Sequence, residues 1–152
     1  MVILYLTLEQ AIEVHAKTID ASGGGTHGQL DTGKLASVLD HIQNDTYYPT
    51  IEAKLTHLFF GACKFHCFED GNKRIAITLC AQMLLLNGHL HCVSRFIKDM
   101  ENISYHVASG AIGKDLLGDI IAAFLDGNDE DESIKLRIYQ AISTEDSGGD
   151  TR

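Results

Sequence analysis

The sequence has little of what makes a chain loop-rich, basic or membrane-bound. Its single proline, Pro49, argues against a sandwich built from many turns. Only 12 lysines and arginines stand against 21 aspartates and glutamates, giving a net charge of −9 and a pI near 5.2. A broad basic face for duplex nucleic acid is thereby excluded, and any anion-binding site has to be local. The longest apolar run, around residues 75–86, is too short to cross a bilayer. "MVILYL" at the start is too short for a secretory leader and lacks basic flanks. Four cysteines (Cys63, Cys67, Cys80 and Cys92) could form a disulfide pair, but three fall inside apolar helical patterns, where cysteine packs as a small hydrophobe. Period-2 strand patterns are nearly absent, and no internal repeat or break in composition marks a second domain. The expectation is a reduced, cytoplasmic, soluble all-α domain over residues 1–142. A solvated tail is expected over 143–152, and for the protein as a whole no direct nucleic-acid or membrane partner is expected.

What is present is 45% hydrophobic residues over 152 positions, enough for one real core, arranged at helical spacing. Thr7 with Gln10 forms a capping-box start for a first helix carrying Leu8, Ile12, Val14 and Ile19. "ASGGGTHG" (21–28) is a turn-rich loop, and a second helix opens at Asp31 or Thr32 and carries Leu35, Val38, Leu39 and Ile42. "QNDTYYPT" (43–50) breaks the pattern, and Pro49 biases Tyr48 toward extended backbone, so a short hairpin is expected there. Thr50 then caps a third helix with the stripe Ile51, Leu55, Leu58, Phe59, Ala62 and Phe65, ending near residues 65–68. The stretch "IAITLCAQMLLL" (75–86) is polar only at Thr78 and Gln82, so it must be surrounded by other helices, and Asn87-Gly88 supplies its stop. Further helices are expected at about 94–109, 114–125 and 133–142, making about six to seven around a central helix at about 72–87.

The chemistry is concentrated in "HCFEDGNKR" (66–74), set directly before that central run. Gly71, Asn72, Lys73 and Arg74 fall on its first turn, where backbone N–H groups lack intrahelical partners and the helix dipole is positive. Such a turn is a ready phosphate site, and glycine lets the backbone approach a ligand closely. Exposed cations there are unfavourable by up to about 1 kcal/mol each, a term whose sign a bound polyphosphate reverses. The same residues also admit a local reading, in which Glu69 and Asp70 neutralise Lys73 and Arg74 as a cap. His66 can accept a hydroxyl proton near neutral pH, although a histidine taken alone is more often a hydrogen-bonded structural residue than a base. A carboxylate beside a phosphate site, here Asp70, is a natural Mg²⁺ ligand, and Phe68 plugs the loop into the core. Cys63-x-x-His66-Cys67 and His89-x-His91-Cys92 offer soft zinc ligands, but not at the common spacings. "DGNDEDES" (126–133) fails as a calcium loop, with Asp131 in place of glycine and Arg137 in place of glutamate, and reads as an acidic connector.

Through His66, Phe68, Asp70, Gly71, Asn72, Lys73 and Arg74, the sequence resembles the Fic fold superfamily, whose signature H-x-F-x-[DE]-G-N-[GK]-R it fits without a gap. It looks most like the death-on-curing (Doc) branch. Lys73 stands where AMP-transferring members have glycine, and Ile77 where they have a second arginine. "LTLEQAIEVHAKTIDASGGG", "LDTGKLASVLD", "YYPT" and "LLLNGH" follow the family's order of elements, over residues 5–125. Cys67 replaces a frequent proline, and Gln29 stands where many relatives have arginine.

The resemblance implies a Fic-type helical domain with His66 as general base on a target hydroxyl and Asp70 as the Mg²⁺ ligand. Gly71, Asn72, Lys73 and Arg74 would hold the phosphates of ATP. A flap containing Asp45, Thr46, Tyr47 and Tyr48 would dock the target backbone as an added strand. It further implies a Doc-like toxin of a toxin–antitoxin module, transferring phosphate from ATP to a hydroxyl side chain of a target such as a translation elongation factor. AMP transfer to a protein hydroxyl is the alternative, and a non-catalytic, antitoxin-bound regulatory partner is a further one. Lysine at 73 crowds the place of the α-phosphate in the AMP-transferring pose, which favours phosphoryl transfer. The family's inhibitory helix, [ST]-x-x-x-E-[GN], has no match. Glu13, Glu52, Glu69, Glu101 and Glu145 follow Glu9, Tyr48, Phe65, Ile97 and Ala141 four residues earlier, and the remaining glutamates fail likewise. A separate Phd-like antitoxin is therefore expected.

Overall fold

The first three helix starts are written in short polar side chains. Thr7 and Gln10 exchange the reciprocal bonds of a capping box: the Thr7 amide donates to Gln10 Oε1 at 2.9 Å and the Gln10 amide to Thr7 Oγ1 at 3.1 Å. Asp31 accepts from the Lys34 amide at 3.0 Å, and Thr50 from the Ala53 amide at 3.1 Å. The computed structural model describes residues 2–21, 23, 28, 31–65, 67 and 71–149, with side chains of the last helix described through residue 144. Among them are seven helices: α1 (Leu8–Ala21), α2 (Thr32–His41), α3 (Ile51–Lys64), α4 (Asn72–Leu86), α5 (Leu90–Ser109), α6 (Lys114–Asp126) and α7 (Glu132–Gly149). The domain is all-α, as expected, and no described helix is long and apolar enough to cross a membrane.

The nearly unbroken apolar run predicted a surrounded helix, and α4 is that helix. Ile75, Ala76, Ile77, Leu79, Cys80, Ala81, Met83 and Leu84 are buried, with α1, α3 and α5 packed around them. Its end is closed by Gly88 at φ 83, while the His89 amide donates to the Leu84 carbonyl at 2.9 Å. The Asn87 side chain reaches back to the extended N-terminal segment, accepting from the Leu4 amide at 2.8 Å and donating to the Leu4 carbonyl at 3.0 Å. Phe59 of α3, Phe96 of α5 and Phe124 of α6 meet edge to face, with ring centroids 6.4 and 5.9 Å apart. All four cysteines are free and buried, one more than the helical patterns accounted for.

Three expectations are revised. Residues 43–50 form no hairpin. They fold into a closed turn in which Asn44 Oδ1 accepts from the Thr46 and Tyr47 amides at 2.9 and 3.2 Å, and the Tyr48 amide donates to the Asn44 carbonyl at 2.9 Å. Helix α5 begins at Leu90, ahead of the expected 94, and α7 continues past 142 to Gly149. The acidic stretch before α7 is a connector, as expected, and its carboxylates are engaged. Asp131 Oδ1 accepts from the Ser133 amide at 2.8 Å, Asp129 pairs with Arg95, and Glu130 pairs with Lys135.

Candidate functional site

The first turn of α4 is set by Gly71, whose φ of +79 lies in the left-handed region. A Cβ at that position would lie 2.7 Å from Ile19 Cδ1 and 3.7 Å from His15 Nε2. His15 and Ile19, four residues apart on one face of α1, are both buried and brace the glycine from behind. Gly71 brings no side chain to cap the turn, and Ile75 closes it through a 2.7 Å bond to the Gly71 carbonyl. Asn72 follows half-buried, and Lys73 and Arg74 are exposed on the same turn. The structure thus brings Gly71, Asn72, Lys73 and Arg74 together at the N-terminus of a buried helix, where an anionic group is favoured. His66, Phe68, Glu69 and Asp70 lie outside the described residues.

Between α3 and α4 the loop is held at Cys67, whose carbonyl accepts from the Asp31 amide at 3.0 Å and whose side chain is buried. Lysines approach the buried thiols on either side of this loop. Burial pushes the Cys63 thiol up to about 12, while the nearby charges of Lys73 and Lys64 pull it partway back. Burial and Asp31 likewise raise the Cys67 thiol, against the pull of Lys34. Lys64 is further fixed by a 3.4 Å bond from Nζ to the Ala108 carbonyl at the end of α5.

The flap residues are placed on the other side of α3. Tyr48 stacks on His57, with ring centroids 4.6 Å apart, and Tyr47 is exposed at the tip. Asp45, one of the expected flap residues, is largely exposed, and its carboxylate accepts from Lys54 Nζ at 2.7 Å.

A family model described as Fic/DOC family matches residues 5–84, more than half of the sequence. The chain belongs to the Fic/DOC family. No curated protein matches it.

As a Fic/DOC member it is a Fic-type transferase, and the match spans α1, α2, the flap, α3 and nearly all of α4. It ends short of residue 125, so α5, α6 and α7 lie beyond it. Three contributors to the site were missed by the sequence reading. Neither Lys64 nor Lys34 was singled out, and His15 sat unnoticed within α1. The spacing His15-x-x-x-Ile19 was the only available signal, and it says burial rather than contact with Gly71.

Arg74 also borders a groove of about 790 Å³ between α1, α4 and α5, with Val14, Ile77, Ala81, Leu85 and Ile97 along its apolar walls. Across it Thr18 Oγ1 and Thr78 Oγ1 lie 3.2 Å apart, tying α1 to α4.

Proposed function

We propose that this Fic/DOC chain is a Doc-type toxin of a toxin–antitoxin module, an ATP- and Mg²⁺-dependent protein phosphotransferase acting in the cytoplasm on a hydroxyl side chain of a translation elongation factor. In this reading His66 takes the proton of the target hydroxyl, whose oxygen attacks the γ-phosphorus of ATP. The bond to the β,γ-bridging oxygen breaks, and ADP leaves. Gly71, Asn72, Lys73 and Arg74 cradle the phosphates, and Asp70 holds Mg²⁺, which supplies charge neutralisation for the leaving group.

The observation that carries the reading is Lys73. It is an exposed cation on an N-terminal turn whose glycine offers no side-chain cap, where AMP-transferring relatives have a second glycine. The positive end of α4 and two cationic side chains fit a polyphosphate. A Phd-like antitoxin is the partner in this reading, and the apolar groove reaching Arg74 is a surface on which its helix would lie.

Mass spectrometry of purified elongation factor incubated with the protein, ATP and Mg²⁺ tests the chemistry. A phosphate adduct is expected, and an AMP adduct would replace phosphoryl by adenylyl transfer. Expression of His66→Ala beside the wild type tests catalysis itself. Growth arrest that survives the substitution would mean that the protein acts without chemistry, through its partner alone.

A further inference from the structure

Lys54 is wholly buried, and its ammonium sits in the first turn of α3, where the helix dipole opposes it. Burying an ammonium is costly unless every donor finds a partner. The partners are all outside α3. Nζ donates to the Ile42 carbonyl at the end of α2 at 2.7 Å and to Asp45 Oδ1 at 2.7 Å, and it lies 5.5 Å from the Tyr5 ring centroid. Burial lowers the lysine's pKa, but Asp45 and Tyr5 more than offset it and leave the group above its ordinary value, so it is charged across the neutral range.

This cation therefore touches the residue before the flap, a residue inside it and the N-terminal segment, while Asp45 itself is mostly solvent-exposed. A carboxylate facing water has no need of a buried partner for its own sake. Its engagement fixes the backbone of the turn that carries Thr46 and Tyr47. Asn44 closes the turn locally, and Tyr48 anchors its far side on His57.

We propose that Lys54 is a positioning residue for target docking, clamping the flap through Ile42 and Asp45 so that Thr46 and Tyr47 are presented in one fixed conformation. The proposal rests on reading residues 43–50 as the surface that receives the protein substrate. It assigns Asp45 to holding the flap rather than to touching the target. The clamp acts on recognition of the protein and not on the nucleotide turn at Gly71, which lies at the other end of α3.

The test uses Asp45→Ala, which removes one partner of the buried Lys54, with Asp45→Asn as the conservative variant that keeps an acceptor, and amide exchange in α4 as the control for global destabilisation. Two readouts are taken on the full chain: amide hydrogen exchange at Thr46, Tyr47 and Tyr48, and steady-state transfer from ATP to purified elongation factor. The expected result for Asp45→Ala is roughly tenfold faster exchange and a several-fold higher KM for the protein. KM for ATP and kcat should stay within about twofold, and Asp45→Asn should recover most of the loss. Unchanged exchange in Asp45→Ala overturns the clamp. Faster exchange with an unchanged protein KM also overturns it, provided Tyr47→Ala at the flap tip raises that KM. If Tyr47→Ala leaves the KM unchanged as well, the flap is not the docking surface, and both the reading and the inference fall.

Discussion

Lys114 Nζ lies 2.9 Å from His57 Nδ1, joining α6 to α3 directly beside the flap residue Tyr48. The ammonium donates, so Nδ1 accepts and the ring proton sits on Nε2, which is buried and finds no partner among the described residues. A second cation on this ring would be desolvated and would face Lys114, which holds the His57 pKa down to about 4.

Stability should therefore depend on pH through His57. Its folded pKa is below the unfolded value of 6.5, so the unfolded chain binds the extra proton and stability rises with pH between about 4 and 6.5. Falling through that window should remove up to about 3 kcal/mol. Urea melts at pH 7 and pH 4.5 should show a smaller loss in His57→Phe than in the wild type. Equal losses would reject this assignment.

Gly71→Ala should destabilise by about 1–2 kcal/mol, from left-handed backbone and from the approach of the new methyl to Ile19. The contact is with the flexible end of Ile19, so Ile19→Val should relieve part of it. In a thermodynamic cycle the double variant should be more stable than the two single losses predict, by about 0.5 kcal/mol or more.

Removing the cation at the start of α4 should separate stability from binding. If Lys73 is held there for a polyphosphate, Lys73→Ala should gain a few tenths of a kcal/mol in the absence of nucleotide. It should also lose most of the ATP-induced rise in melting temperature. A net loss of stability without nucleotide would favour the local cap, in which Glu69 and Asp70 are its partners.

The thiols should be silent in the native state. Burial raises the pKa of Cys63, Cys67, Cys80 and Cys92, and the thiolate is the reactive form. Ellman's reagent at pH 8 should find none of the four within minutes in buffer and all four in guanidinium. Rapid native labelling at any of them would contradict the packing.

Much of this was legible because it is local. Thr7, Asp31 and Thr50 announce their helices through bonds that span three residues, and the apolar run at 75–86 admits only a surrounded helix. The start of α5 was obscured because Leu90 and His91 are exposed ahead of the buried Cys92, Val93 and Phe96, so the stripe begins a turn late. At the flap, Pro49 suggested extended backbone, but the Asn44 side chain supplies turn bonds that compete with strand pairing. Lys54 was unreadable for a different reason. A lysine inside an apolar stripe is ordinarily a solvated gap, and its burial depends on Tyr5, Ile42 and Asp45 converging from separate stretches of chain. At the signature loop, position alone left a phosphate site and a local cap equally open, and only the family resemblance separated them.

The N-terminal segment carries a practical lesson. Leu4 is stitched to Asn87 at the far end of α4, and Tyr5 meets Lys54 at the stem of the flap. A fluorophore or affinity handle joined at residues 3–6 would therefore tug on two distant parts of the molecule at once and distort the binding data it was meant to report. The exposed face of α7 near Leu136 and Tyr139 offers a safer place for immobilisation, since α7 packs chiefly on α6.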